Sequence, residues 1–335
     1  MSKFSTRDKI PLNSIITPIN SLALKAVGCL IIVTHHYTLH QGDVHNNVFN
    51  EFSTLACGYI AVALFFFLSG YGVMESEKRN RLPILTFLRR RLSRVYIPFV
   101  ITNILFIITL LYLGYYPISI RKVLAHIFGI ELIDNVTWFV PVTLLLYFFV
   151  LLLSKVQNRQ LKAVFMVALC TGYITSGIFL FDIPFYAYVS TPAFPLGYIA
   201  SLYSHEICRR LKGIIRWILL FFSAITFVTL SWAMMGHLSL YGHLLHAAIA
   251  LNNIALLGII VTVFAGRHYA WFHCKWLGDI SYEVYLCHAK VFMVFIATTG
   301  SFATFHPLLL LIIIPIAYVI SKLDKSVSTL LTANK

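Results

Sequence analysis

The chain has 335 residues, of which 59% are hydrophobic and 11% charged, with a mean hydropathy of +0.83. This composition excludes a water-soluble globular protein and makes the lipid bilayer the main solvent. The net charge of +14 would suit a nucleic-acid binder. Its basic residues, however, fall in short stretches between apolar runs, as cytoplasmic loops of a membrane protein do, so no nucleic-acid partner is expected.

In chain order, ten apolar runs have lengths suited to a hydrocarbon core about 30 Å thick. They cover about 20–40, 54–74, 95–115, 137–154, 161–181, 186–203, 215–235, 244–265, 279–299 and 306–322. The first run ends in polar, His-rich sequence rather than a small-residue cleavage site, so it reads as a span and not a cleavable leader. With the N-terminus in the cytoplasm, 22 of the 26 Lys and Arg residues fall on that side. The outer loops hold Arg121 and Lys122, and Lys25 and Lys290 lie inside spans. The expected fold is an all-α, polytopic transmembrane helical bundle of about ten spans, with both termini cytoplasmic. Residues 1–335 read as a single integral-membrane domain, with its spans between about 20 and 322 and no soluble domain.

Two segments need special mention. The sixth run carries Pro192, Pro195 and Gly197. A broken helix there is tolerable only against protein or a water-filled cavity. The outer segment 116–136 has room for one small amphipathic helix. Cys29, Cys57, Cys170, Cys208, Cys274 and Cys287 lie in or beside the apolar runs without metal-ligand spacing, and read as small buried hydrophobes.

Polar residues inside spans carry the functional signal, because each is costly in lipid. Lys25 and His36 are eleven residues apart. On a helix that is three turns, which places them on one face about 16 Å apart along the axis. His35 lies one position off that face. The ordinary alternative is a lysine reaching for the interface and a histidine hydrogen-bonded between helices.

The second span ends FFFLSGYGVMES, where Ser69, Gly70 and Gly72 are small residues that suit a close helix crossing. Arg89, Arg90, Arg91 and Arg94 cluster before the third span. Of these, Arg90, Arg91 and Arg94 share a helix face. Guanidinium forks pair bidentately with phosphate oxygens, which suggests a phosphate site; ordinary topological charge is the alternative. Trp138 fits an interfacial aromatic belt. In the ninth span, LGDISYEVYLCHAK, Ser281, Tyr285 and His288 share one face, while Glu283 and Lys290 share another.

Together these segments resemble the membrane-bound acyltransferase-3 family. Lys25-x10-His36 resembles the family's basic-x10-His signature, FFFLSGYGV its second-span motif and RRRLSRVYIP its basic motif. Trp138-Phe139 and LGDISYEVYLCH resemble two later ones, in the same order. In members with a His-His pair, the pair sits one residue later relative to the basic residue. Here His35 and His36 stand ten and eleven residues after Lys25, and helical phase favours His36.

The resemblance implies an O-acyltransferase in the inner (cytoplasmic) membrane of a bacterium. It would move an acyl group, usually acetyl, from cytoplasmic acyl-CoA to a hydroxyl of an extracytoplasmic or lipid-linked glycan. Acyl-CoA would be the donor substrate and nothing would be bound permanently. The other partners would be the lipid bilayer, the glycan acceptor and glycan-assembly proteins. In this reading Lys25, Ser69, Arg90, Arg91 and Arg94 hold the donor. His36, or His35, acts as general base or as an acyl-accepting nucleophile. Tyr285 and His288 are candidate oxyanion donors, and Glu283 or Asp43 would orient the imidazole. The rival readings are a transporter or flippase of a glycan or small anion, and a non-catalytic scaffold. A metal site on His36 and His40 has the right spacing but no clear third ligand.

Overall fold

The computed structural model describes residues 14–41, 47–79, 83–115, 119–237, 242–267, 269, 274–300 and 309–333. Among them there are helices and turns and no strand. The helices are α1 (Pro18–Gln41), α2 (Val48–Phe52), α3 (Gly58–Arg79), α4 (Ile84–Tyr112), α5 (Ile120–Phe128), α6 (Phe139–Leu152) and α7 (Arg159–Phe179). They continue with α8 (Ala193–Leu202), α9 (Ser204–Arg210), α10 (Gly213–Trp232), α11 (Gly242–Phe264), α12 (Lys275–Asp279), α13 (Ser281–Thr299) and α14 (Leu309–Ala333). The protein is a polytopic helical bundle.

Among the described residues, seven helical stretches are long and apolar enough to cross a membrane by length and composition. These are Pro18–His40, Val48–Arg79, Ile84–Tyr112, Asn135–Leu152, Arg159–Phe179, Gly213–Met235 and Gly242–Phe264. The other three expected spans correspond to α8, α13 and α14. α13 is less apolar because it buries Glu283, His288 and Lys290.

The sixth expected span is broken. A 3-10 turn at Phe185–Ala187 precedes α8, whose ten residues cover only about 15 Å. The break is buried in protein, where its polar groups find partners. Ser190 Oγ donates to the Tyr59 carbonyl at 3.1 Å, and Asn253 Nδ2 donates to Ser190 Oγ at 3.1 Å. α8 lies directly against α3. A Cβ on Gly70 would stand 2.0 Å from the Phe194 carbonyl oxygen, and one on Gly197 would stand 2.0 Å from that of Phe67. Each glycine thus admits the other helix's backbone. Further along the same pair, Tyr198 Oη donates to Glu77 Oε2 and Ser201 Oγ to Glu75 Oε1, both at 2.8 Å.

α5 is the expected small amphipathic helix. It folds back along α4. Asn103 Nδ2 donates to the His126 carbonyl at 2.8 Å, the Phe99 ring lies against Gly129, and Tyr96 Oη donates to the Phe128 carbonyl at 3.4 Å. Gly129 ends α5 in the left-handed region (φ 70°), and Ile130 N–H returns to the Ala125 carbonyl at 2.9 Å. This reversal delivers the 3-10 turn Asn135–Trp138 to the flank of α13.

Candidate active site

A cavity of about 880 Å³ opens at the arginine end of the bundle, between α1, α3, α4, α6, α13 and α14. Lys25, Ser69, Arg90, Arg91 and Arg94 all line it. The five residues expected to hold a donor therefore meet in one place. Among the described residues no ion pair engages Lys25 or these three arginines. Arg91 is instead held by aromatic faces, its guanidinium carbon 5.0 Å from the Tyr147 ring centre and 5.4 Å from that of Phe87. Ser69 Oγ and Tyr147 Oη are 2.7 Å apart, which links α3 to α6 beneath that guanidinium. Asp279, Glu283 and Asp324 also line the cavity, on the α12–α13–α14 side. One wall is thus basic, while the other mixes these acids with Lys325.

Toward the histidine end the lining includes Phe65, Phe139 and Tyr285. Phe139 lies 6.2 Å from Phe65 and 5.5 Å from Tyr285 between ring centres. The Phe65 ring touches the Cβ position of Gly28, one turn above Lys25 on α1. His36 is not among the lining residues. Lys25 is the last lining residue on α1, and the lining residue Tyr285 packs on His288, with ring centres 5.9 Å apart.

α1 points its two histidines in different directions. His35 Nδ1 donates to the Ser53 carbonyl at 2.8 Å, and a Cβ on Gly58 would fall 2.6 Å from its Nε2. The ring therefore fills the space left by a missing side chain, bolting α1 to the start of α3. Thr38, Ser53 and Thr54 add hydroxyl contacts of 3.0 and 3.1 Å. His36 turns toward α13. Its Nδ1 lies 2.9 Å from the Ile32 carbonyl and 3.2 Å from Nε2 of His288, a residue with no exposed surface.

Three expectations need correction. Tyr285 offers no free hydroxyl proton, because Oη donates to the Val136 carbonyl at 2.5 Å. His288 offers no free N–H either: Nδ1 lies 2.6 Å from the Tyr285 carbonyl and Nε2 faces His36. Glu283 lines the arginine-end cavity and lies near Asp324 and Lys325 of α14. It precedes His288 by five residues and does not orient the His36 ring. Asp43 lies outside the described residues. His40 packs edge-on against Phe292, with ring centres 6.0 Å apart.

One pair escaped sequence reasoning. Lys290 Nζ donates to Asp134 Oδ2 at 2.6 Å, and each side chain is 3% exposed. Asp134 Oδ1 also accepts from Val136 N at 3.0 Å and Thr137 N at 2.8 Å, capping the turn that leads to Trp138. A lysine within a span demands a counter-charge. That demand was readable, but its partner, 156 residues away in sequence, was not.

A family model described as an acyltransferase domain matches residues 22–322. Searches of curated proteins and of solved structures find no match. The matched stretch takes in α1, with Lys25 and His36, through α13 and most of α14, so this chain, a multi-pass membrane protein, belongs to acyltransferase family 3.

Proposed function

We propose that the protein transfers an acetyl group from cytoplasmic acetyl-CoA to a hydroxyl of an extracytoplasmic or lipid-linked glycan in a bacterial inner membrane. The observation that carries this reading is the shared cavity of Lys25, Ser69, Arg90, Arg91 and Arg94, with His36 three turns above Lys25 on the same helix. The basic wall suits the phosphates of a nucleotide thioester. The cavity suits its head, and the thin arm would run toward Phe65, Phe139 and Tyr285. Those rings must part for the thioester to reach His36. The arginine end would face the cytoplasm, in keeping with the bias of basic residues along the ten expected spans.

In the reaction, His36 takes the proton of the acceptor hydroxyl as its oxygen attacks the thioester carbonyl. The carbon–sulfur bond breaks, and the departing thiolate takes that proton from the His36 imidazolium to leave as free thiol, which restores the neutral base. His35 anchors α1 and takes no part in the chemistry.

The test uses the full chain in proteoliposomes, with acetyl-CoA labelled in the acetyl group and a membrane glycan fraction. Label should enter the glycan, and His36→Ala should abolish this while the protein still inserts and folds. Transfer that survives His36→Ala overturns the assignment. Glycan movement without acyl transfer would favour transport instead.

A further inference from the structure

Two hydrogen-bond acceptors converge on one nitrogen of His36. The Ile32 carbonyl can only accept, so Nδ1, at 2.9 Å, carries the proton. On the other side stands His288 Nε2, at 3.2 Å. The tautomer of His288 is itself set by its own helix, because Nδ1 faces the carbonyls of Tyr285 (2.6 Å) and Val284 (3.3 Å). With its proton on Nδ1, a neutral His288 presents a bare lone pair at Nε2. Both partners therefore require the His36 proton at Nδ1, and Nε2 is left unprotonated.

We infer that His288 is a positioning residue: it holds the His36 ring in one orientation with the proton on Nδ1, leaving Nε2 to accept the proton of the reaction. The inference rests on His36 being the base, as proposed above. It replaces an oxyanion role for His288 with one exerted through another side chain, as in hydrolases where a buried partner fixes a catalytic imidazole. A purely structural histidine would only need to bridge α1 and α13. Here the ring also has the His35 ring at 4.7 Å from His36, and Tyr285 and Phe292 at 5.9 and 5.8 Å from His288. Asp134 and Lys290 lie nearby on the other side of α13. The aromatic packing explains the fit of the His288 ring; it does not explain why its one bare nitrogen faces His36.

Two variants separate the roles. His288→Leu removes the acceptor and keeps much of the volume, whereas His288→Gln keeps an acceptor near the Nε2 position. The first readout is kinetic, with acetyl-CoA in proteoliposomes. His288→Leu should lower kcat about 100-fold with KM for acetyl-CoA unchanged, and His288→Gln should recover most of it at a matched melting temperature. Unchanged kcat in His288→Leu overturns the inference. So does an equal loss in both variants alongside an equal fall in melting temperature, which would mark a structural role. The second readout is nitrogen NMR of labelled histidine, which needs no turnover. His36 should be the Nδ1–H tautomer in the wild type and a mixture in His288→Leu. An unchanged tautomer overturns the inference. If His36→Ala keeps full transfer while the tautomer shifts as expected, the proposed base is wrong and the positioning stands.

Discussion

Asp134 and Lys290 meet at 2.6 Å across 156 residues of sequence, with both side chains almost wholly buried. The pair ties the middle of α13 to the turn that opens α6. Asp134 is also that turn's cap, so a single carboxylate sets both the local backbone and the long-range register.

Removing one partner leaves the other charge buried and alone. Asp134→Ala and Lys290→Ala should each destabilise the protein by about 3–5 kcal/mol. The double variant Asp134→Leu/Lys290→Met should lose less than the sum of the singles. Thermal unfolding in detergent, arranged as a double-mutant cycle, measures this; simple additivity would refute the coupling.

Arg91 should act on donor binding rather than on the chemical step. Its planar cation stacks on Phe87 and Tyr147, which a lysine does not reproduce. Arg91→Lys should raise KM for acetyl-CoA about tenfold and leave kcat near the wild-type value. Initial rates against donor concentration decide it, and a loss confined to kcat would contradict the assignment.

The two neighbouring histidines should respond differently to asparagine, whose amide nitrogen can stand in for Nδ1. His35→Asn should keep the bond to the Ser53 carbonyl and retain most activity, whereas His36→Asn should be inactive. Gly58→Ala should behave like His35→Ala, because its methyl would enter the His35 ring. Side-by-side transfer assays with all four variants check this.

Phe139 closes the cavity below the histidines. Trimming it with Phe139→Ala should widen the path and raise the rate with butyryl-CoA relative to acetyl-CoA by about tenfold. Competition between the two donors gives the ratio directly, and an unchanged ratio would place the length filter elsewhere.

Much of the site was legible because charge is costly inside an apolar run. Lys25 lies inside such a run, the cluster of Arg90, Arg91 and Arg94 suggested a phosphate site, and one cavity is lined by all four. The break near Pro192 was legible too, since proline cannot continue a helix's hydrogen bonding. What periodicity could not reveal depends on contacts between distant segments. The return of α5 along α4 depends on Asn103 reaching the His126 carbonyl. The difference between His35 and His36 depends on a glycine at position 58 and a histidine at position 288. The pairing of Lys290 with Asp134 is likewise tertiary. The aromatic layer above the cavity consists of residues that any membrane helix would carry, so nothing in their spacing singled them out.

The interlocked glycines of α3 and α8 have a mechanical consequence. Backbone wedged into backbone at Gly70 and Gly197, and tethered again at Glu75 and Glu77, leaves those two helices no room to slide or separate. They form a stationary abutment on one flank. Any dilation that admits the proposed thioester arm must come from the facing side, where α13 holds α4 and α14 by side-chain contacts such as Tyr282 Oη to the Val95 carbonyl at 2.8 Å.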